Sequence, residues 1–175
     1  MRPYREIDGK KLSIAQPKWL QNDYIKFFGK YEQRLRLLPI GAVCFITDHS
    51  YLDGETFTGF RHALVDKHSL VNVIDLHGDL NRRVERGVEL GDEGVFDIVQ
   101  GTCVTLVGRG LSKNISKGGE LLMPRSKKYS MMETNLIGDF LAYDLDTESY
   151  PYRFLKRREK NPRYSQYQEL SLIHI

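Results

Sequence analysis

Gly41-Ala42-Val43-Cys44-Phe45-Ile46-Thr47, followed at once by Asp48-His49-Ser50, is the stretch whose reading decides the fold. It is an apolar run that ends abruptly in polar side chains, as a sheet strand does. A helical stretch from Gly54 to Asp66 comes next, then a second apolar strand closing on Asp75-Leu76-His77-Gly78. The charged loop 79–95 ends at Val95-Phe96-Asp97-Ile98 and leads into a third strand, Thr102-Cys103-Val104-Thr105-Leu106-Val107. Strands apolar on both faces with a helix beside them predict an α/β fold built on a covered parallel sheet. Such sheets take ligands at the carboxyl ends of their strands, which draws attention to the polar residues just past each one.

Working outward, Leu20, Tyr24, Phe27, Phe28, Tyr31, Leu35 and Leu38 recur in steps of three and four, predicting an amphipathic helix over 17–38. Pro17 suits its first turn, and Pro39 with Gly41 ends it. The helix after the first strand puts Phe57, Phe60 and Leu64 on one face, with Arg61 and His62 flanking. Loop 79–95 is too charged to bury and is expected to be mobile. The run 110–119, rich in Gly, Ser and Lys, reads as a turn or linker. A further helix is expected over 129–140, and 141–169 reads as extended, irregular chain beginning another unit.

The chain has 175 residues, 41% hydrophobic and 28% charged, the balance of one ordinary globular domain. No apolar stretch approaches the roughly 20 residues a membrane helix needs. Met1-Arg2-Pro3-Tyr4-Arg5 introduces no apolar signal core, so a cytoplasmic protein is expected. Cys44 and Cys103 fall inside strands and read as buried free thiols, too few for a metal site. The net charge of +3 is unevenly spread: 109–128 carries +5 and 151–169 carries +4, while 129–150 holds 5 acids and no base. Basic clusters interleaved with Tyr150, Tyr152, Tyr164 and Tyr167 suit a phosphate backbone with bases nearby, and equally a solvated linker with anchoring aromatics.

No catalytic set emerges from spacing. The chain has no glycine-rich phosphate loop, no nucleophile elbow and no zinc-binding histidine pair on a helix. His49 and His77 each follow an apolar strand, as do Asp48 and Asp75. All four read either as cleft residues or as strand-end side chains bonded to nearby backbone.

The segments GAVCFITDHSYLDGETFTGFRHAL, VIDLHG and DEGVFDIVQGTCVTLV resemble the second half of the catalytic domain in adenine-specific DNA methyltransferases. The likeness is nearest to the type ISP restriction–modification enzymes, in which a methylase and a helicase-nuclease share one chain. It covers about 19–109 well and 110–169 loosely. The resemblance implies a partial Rossmann-like, S-adenosylmethionine-dependent fold of which this chain supplies the last three strands, the final one antiparallel. It divides the sequence into the C-terminal half of a catalytic domain (1–109) and a bridge toward a target-recognition domain (110–169). The family's cofactor loop and its Asn-Pro-Pro-Tyr motif are absent; the only Asn-Pro pair, Asn161-Pro162, is followed by Arg163. No catalytic residue is therefore assigned, and the piece alone is expected to be inactive.

Residue by residue, the resemblance implies that Asn22 and Tyr24, in Asn22-Asp23-Tyr24-x-x-Phe27, lie against the cofactor. Asp48 and His49 of the strand-end triplet face the cleft. Phe96 matches the aromatic that stacks on the flipped target base, which needs a π-face to offset its lost stacking. The implied function is a fragment of an enzyme that methylates adenine in double-stranded DNA, with S-adenosylmethionine as cofactor, no metal, and fused helicase-nuclease domains in the parent. The alternative is a non-catalytic module that keeps the half-fold to dock DNA or protein; a native start at Met1 would favour it. Leu170-Ser171-Leu172-Ile173-His174-Ile175 resembles a translated transposase end left by library preparation, and is set apart from the fold.

Overall fold

A computed structural model describes residues 4–14, 16–80, 92–110, 116–121, 123–135, 137–145 and 152–155. The chain enters through a small hairpin, β1 (Glu6–Ile7) and β2 (Lys10–Lys11), turned at Asp8-Gly9 with both residues at positive φ. Asp-Gly is a sequence well suited to such a turn.

The long helix expected over 17–38 is two pieces. A 3-10 helix, Pro17–Gln21, stops at Asn22, whose backbone is extended; α1 (Asp23–Leu35) then begins afresh. The Asn22 side chain makes the break favourable, because its Oδ1 accepts from the Tyr24 amide at 2.9 Å and caps α1. The new helical phase buries Ile25, Phe28 and Leu35 and turns Tyr24, Phe27 and Tyr31 outward.

Next come β3 (Gly41–Asp48), α2 (Thr58–Lys67), β4 (Leu70–His77), β5 (Thr102–Arg109), β6 (Lys117–Glu120), α3 (Arg125–Thr134) and β7 (Tyr143–Asp144). The sheet order is β3-β5-β4-β6-β7. Only β4 and β6 pair in parallel; the other three pairings are antiparallel. The expected covered parallel sheet is thus mostly antiparallel. β3 and β4 do run the same way, but β5 lies between them, antiparallel to both, in register from Gly41↔Arg109 to Asp48↔Thr102.

The strand residues sort by face. Val43, Phe45, Val71, Val73, Cys103 and Val107 join α1 and α2 in the main core, where Phe28 meets Phe45 and Phe60 edge to face at 4.8 and 5.4 Å. Ile74, Leu76 and Leu121 face the other way and pack with Val95 and the α3 methionines Met131 and Met132. On that second face β3 is open: Ala42 and Cys44 are exposed, and Ile46 is 56% exposed. An apolar run therefore did not mean two covered faces here, and Cys44 is not the buried thiol expected. Cys103 is, and burial pushes its thiol up to about 12 against the opposing hydrogen bonds of Thr47 and Tyr51.

Two further expectations change. Part of the supposed linker is β6, where Gly118 and Gly119 admit Tyr143 and the Phe140 carbonyl; a Cβ on Gly119 would stand 1.7 Å from that oxygen. The helix expected over 129–140 is α3, which begins earlier, followed by a 3-10 turn at Ile137–Phe140. Past the expected boundary at 109/110, β6 and β7 extend the same sheet, and Leu145 and Phe154 join the main core. Arg61 fastens that last segment. Fully buried, it donates to the carbonyls of Tyr152, Tyr51 and Gly54, each at 2.7 Å. Most of loop 79–95, the tyrosine-rich basic stretch past Leu155 and the final hexapeptide lie outside the described residues. Among the described residues, no helix is long and apolar enough to cross a membrane.

Candidate functional site

The carboxyl ends of β3, β4 and β6 meet at one edge of the sheet, and their polar residues converge there. Asp48 closes β3. Its Oδ1 accepts from the Ser50 amide at 2.9 Å and from the Ser50 hydroxyl, and its Oδ2 accepts from Asn22 Nδ2 at 3.0 Å. Asn22 thereby joins the start of α1 to the end of β3 while capping the helix. Tyr24, two residues on, is 37% exposed and Phe27 is 50% exposed. Neither belongs to the helix core.

His49 is 3% exposed, with Nδ1 at 2.8 Å from Asp75 Oδ1 and Nε2 at 3.2 Å from Asp79 Oδ2. His77 continues the network: Nε2 lies 3.2 Å from Glu120 Oε2 and Nδ1 3.6 Å from Asp75 Oδ2. Asp75 is the hub and is fully buried. Burial alone would raise its carboxyl, but the hydrogen bond and charge of His49, the charge of His77 and the His77 amide together hold it below the ordinary carboxylate value. The strand slips register between Asp75 and His77, and His77 takes φ 54° ahead of Gly78 at φ 82°. A non-glycine residue in that region carries strain and recurs at functional sites. The sequence marks Asp75 and His77 only as ambiguous strand-end residues; nothing in a 26-residue separation announces that Asp75 pairs with His49.

The segment 92–101 crosses above this network. Asp92 Oδ2 accepts from the Gly78 amide at 2.8 Å, the Leu80 amide donates to Val99 O at 3.0 Å, and the His49 amide to Gly101 O at 3.1 Å. Glycine is required where the layers touch: a Cβ on Gly78 would stand 2.2 Å from Gly94 Cα, and one on Gly101 would stand 2.3 Å from the His49 ring. Val95 points inward, and Phe96 beside it points out, 40% exposed. Phe96 is therefore not a core residue opening the third strand, which begins at Thr102. Phe96, Ile98 and Val99 are presented together on a segment fixed at both ends.

Asn22, Asp48 and His49 thus meet at one edge of the sheet, and the segment bearing Phe96 ends on His49. Cavities of about 360 and 450 Å³ lie elsewhere, around Glu32, Arg36 and Lys67; the smaller of the two is also lined by Arg109, at the opposite end of β5. They hold none of the candidate residues. Two members of the basic cluster after Arg109 are engaged by contacts within the fold. Lys128 is completely buried, and Arg125 is spent on the Phe96 segment.

Comparison with known proteins gives a fold. No protein-family model matches the chain, and no curated protein matches it in sequence. Among solved structures, the DrdV–DNA complex aligns over 82% of this chain with a TM-score of 0.67 and 23% identity. The ATP-dependent type ISP restriction–modification enzyme LlaBIII bound to DNA aligns over 87% with 0.69 and 17%. A nuclease-deletion mutant of the type ISP restriction–modification enzyme LlaGI, in complex with a DNA substrate mimic, aligns over 87% with 0.68 and 15%. The chain spans 14%, 10% and 15% of those three chains. Its mixed α/β fold is therefore one that occurs as a part within large restriction–modification enzymes.

Proposed function

We propose that this chain is the C-terminal portion of a catalytic domain in a type ISP-like restriction–modification enzyme, a DNA methyltransferase acting on the exocyclic amine of adenine. The observation that carries the reading is the arrangement β3-β5-β4, two like-directed strands with an antiparallel one between them, together with a β3 edge that no described strand pairs. That edge is flanked by apolar side chains on both sides: Tyr24, Phe27 and Tyr31 of α1 on one, Ala42, Cys44 and Ile46 on the other. An exposed apolar margin of this kind marks a surface that packs on something else. Further strands of the same sheet are the occupant that the resemblance and the fold likeness both favour. Double-stranded DNA is the partner we propose, in keeping with the DNA-bound neighbours.

For S-adenosylmethionine the residues present fit one wall of a pocket. Asn22 and Asp48 hold each other at the end of β3, with the rings of Tyr24 and Phe27 exposed next to them. When bound, the cofactor supplies a methyl group activated by its sulfonium. The chain's own part is to enclose and orient. Phe96 offers a ring face for an adenine drawn out of the duplex, where stacking on an aromatic is worth about 1–3 kcal/mol. The His49–Asp75–His77 network keeps the strand ends beneath it in place.

The test is methyl transfer by the longer polypeptide that carries this chain, given duplex DNA and S-adenosylmethionine labelled in the methyl group. Digestion of the DNA is expected to release label as N6-methyladenine. Label confined to cytosine, or no label in any duplex, overturns the proposal.

A further inference from the structure

Helix α3 reaches the segment 92–97 with three side chains, and the contacts are unusually regular. Lys128 Nζ donates to Glu93 O at 2.6 Å, to Leu76 O at 2.6 Å and to Asp92 Oδ1 at 2.7 Å. Arg125 Nε donates to Gly94 O at 2.6 Å, and its guanidinium also reaches Asp97 Oδ1 at 2.5 Å and Phe96 O at 3.5 Å. The Tyr129 hydroxyl donates to Val95 O at 2.7 Å. The Arg125 amide in turn donates to Glu93 Oε2 at 2.9 Å. Four successive carbonyls, from Glu93 to Phe96, thus accept from one helix. These residues form neither helix nor strand, so no ladder of their own would satisfy the carbonyls.

A fully buried lysine is costly unless every donor is paired. Lys128 meets that condition with two carbonyls and a carboxylate, which fixes α3 in one position against the end of β4. Arg125, one turn before it, and Tyr129, the next residue along, then set the course of the chain through Gly94, Val95 and Phe96. Far from serving only as a surface helix, α3 determines where the exposed ring stands.

We infer that Arg125, Lys128 and Tyr129 are positioning residues for Phe96: a brace that holds its ring where an extruded purine base of duplex DNA would stack. The inference rests on the methyltransferase reading above. An ordered ring matters because a π-face offsets lost stacking only if the base finds it already in place. Tyr129→Phe removes one hydroxyl and leaves the ring, and Arg125→Ala removes the partner of Gly94 and Asp97; neither is a buried charge, so both variants should fold.

Two measurements on these variants separate the brace from the reading beneath it. Hydrogen exchange, followed by mass spectrometry without DNA, should be about tenfold faster across 93–99 in Arg125→Ala and unchanged in β3 and β5, with Arg125→Lys intermediate. The longer protein is then mixed with a duplex carrying 2-aminopurine opposite an abasic site, where extrusion is cheap. Wild type should raise the fluorescence, Phe96→Ala should abolish the rise, and Tyr129→Phe and Arg125→Ala should reduce it several-fold with cofactor affinity unmoved. Loss in Phe96→Ala with full signal and unaltered exchange in both brace variants overturns the inference and leaves the reading standing. No rise with wild type overturns the reading, and with it the role given to the brace, whatever the exchange rates.

Discussion

Asp75 shows how a single buried carboxylate ties strand ends together. It has no exposure, accepts from the His77 amide at 2.9 Å and lies between two imidazoles. Its carboxyl is held below the ordinary 3.8, so the folded state binds the proton less well than the unfolded state does. The stability this contributes is complete above the unfolded value and is lost as pH falls through the folded one. Asp75→Asn should therefore destabilise the chain by about 2–4 kcal/mol at pH 7. The gap from wild type should shrink below about pH 4, as urea unfolding at several pH values will show. Phe96 is the opposite case, a large ring exposed on a fixed segment. Phe96→Ala should leave the unfolding midpoint within about 0.5 kcal/mol of wild type. In the longer enzyme it should slow methyl transfer roughly tenfold to a hundredfold with cofactor affinity nearly unchanged. Equal rates would remove the ring from the site. At this scale the sequence was only partly legible. Asp48, His49 and Phe96 stand out by following or preceding apolar runs, whereas the His49–Asp75 pair and the buried Arg61 depend on how strands and loops pack, which spacing does not encode.

Among the elements, α3 is the least evident from sequence and among the most consequential. Its residues are mostly polar and its apolar periodicity is weak, so the pattern offers a helix there without a clear start. What docks it is Lys128, a residue that composition assigns to the surface. Lys128→Met keeps the length of the side chain but takes the cation from Asp92 Oδ1 and the donor from two carbonyls. It should cost about 3–5 kcal/mol in chemical denaturation, and Asp92→Asn in the same chain should recover part of that. No recovery would mean that the lysine serves the carbonyls alone. Helix α1 shows the converse limit. Its apolar spacing was plain, but the spacing ran through Asn22, and a cap at that position reset the helical phase. The residues then placed outward, Tyr24, Phe27 and Tyr31, are those that the unbroken helix would have buried. Asp8-Gly9 carries a local hairpin signal; β6 carries none, because a strand containing Gly118-Gly119 lacks the side chains by which strands are recognised.

For the molecule as a whole, the alternation of strand and helix over 41–109 was enough to place three strands and one helix, but not to give their order. Sheet order is set by which edges meet, and no local pattern reports it. The uncovered β3 margin makes a prediction at this scale. The chain by itself should self-associate at micromolar concentration and bind an apolar dye, and Ile46→Lys should shift sedimentation toward monomer, since charge on an edge discourages pairing. A monodisperse wild-type monomer with a sharp, cooperative melt would count against a sheet that continues beyond β3.

The position of β5 has a consequence for how the polypeptide assembles. The two strands it separates are made first, yet among described residues they share no hydrogen-bonded register with each other; each waits for a third that follows β4 by 25 residues. During synthesis on a ribosome, the earlier strands must stay unzipped until the late one threads between them. The joining of β3 to β4 is therefore a single late event, and a stalled or truncated nascent chain that stops before Thr102 would leave both strands with unsatisfied edges.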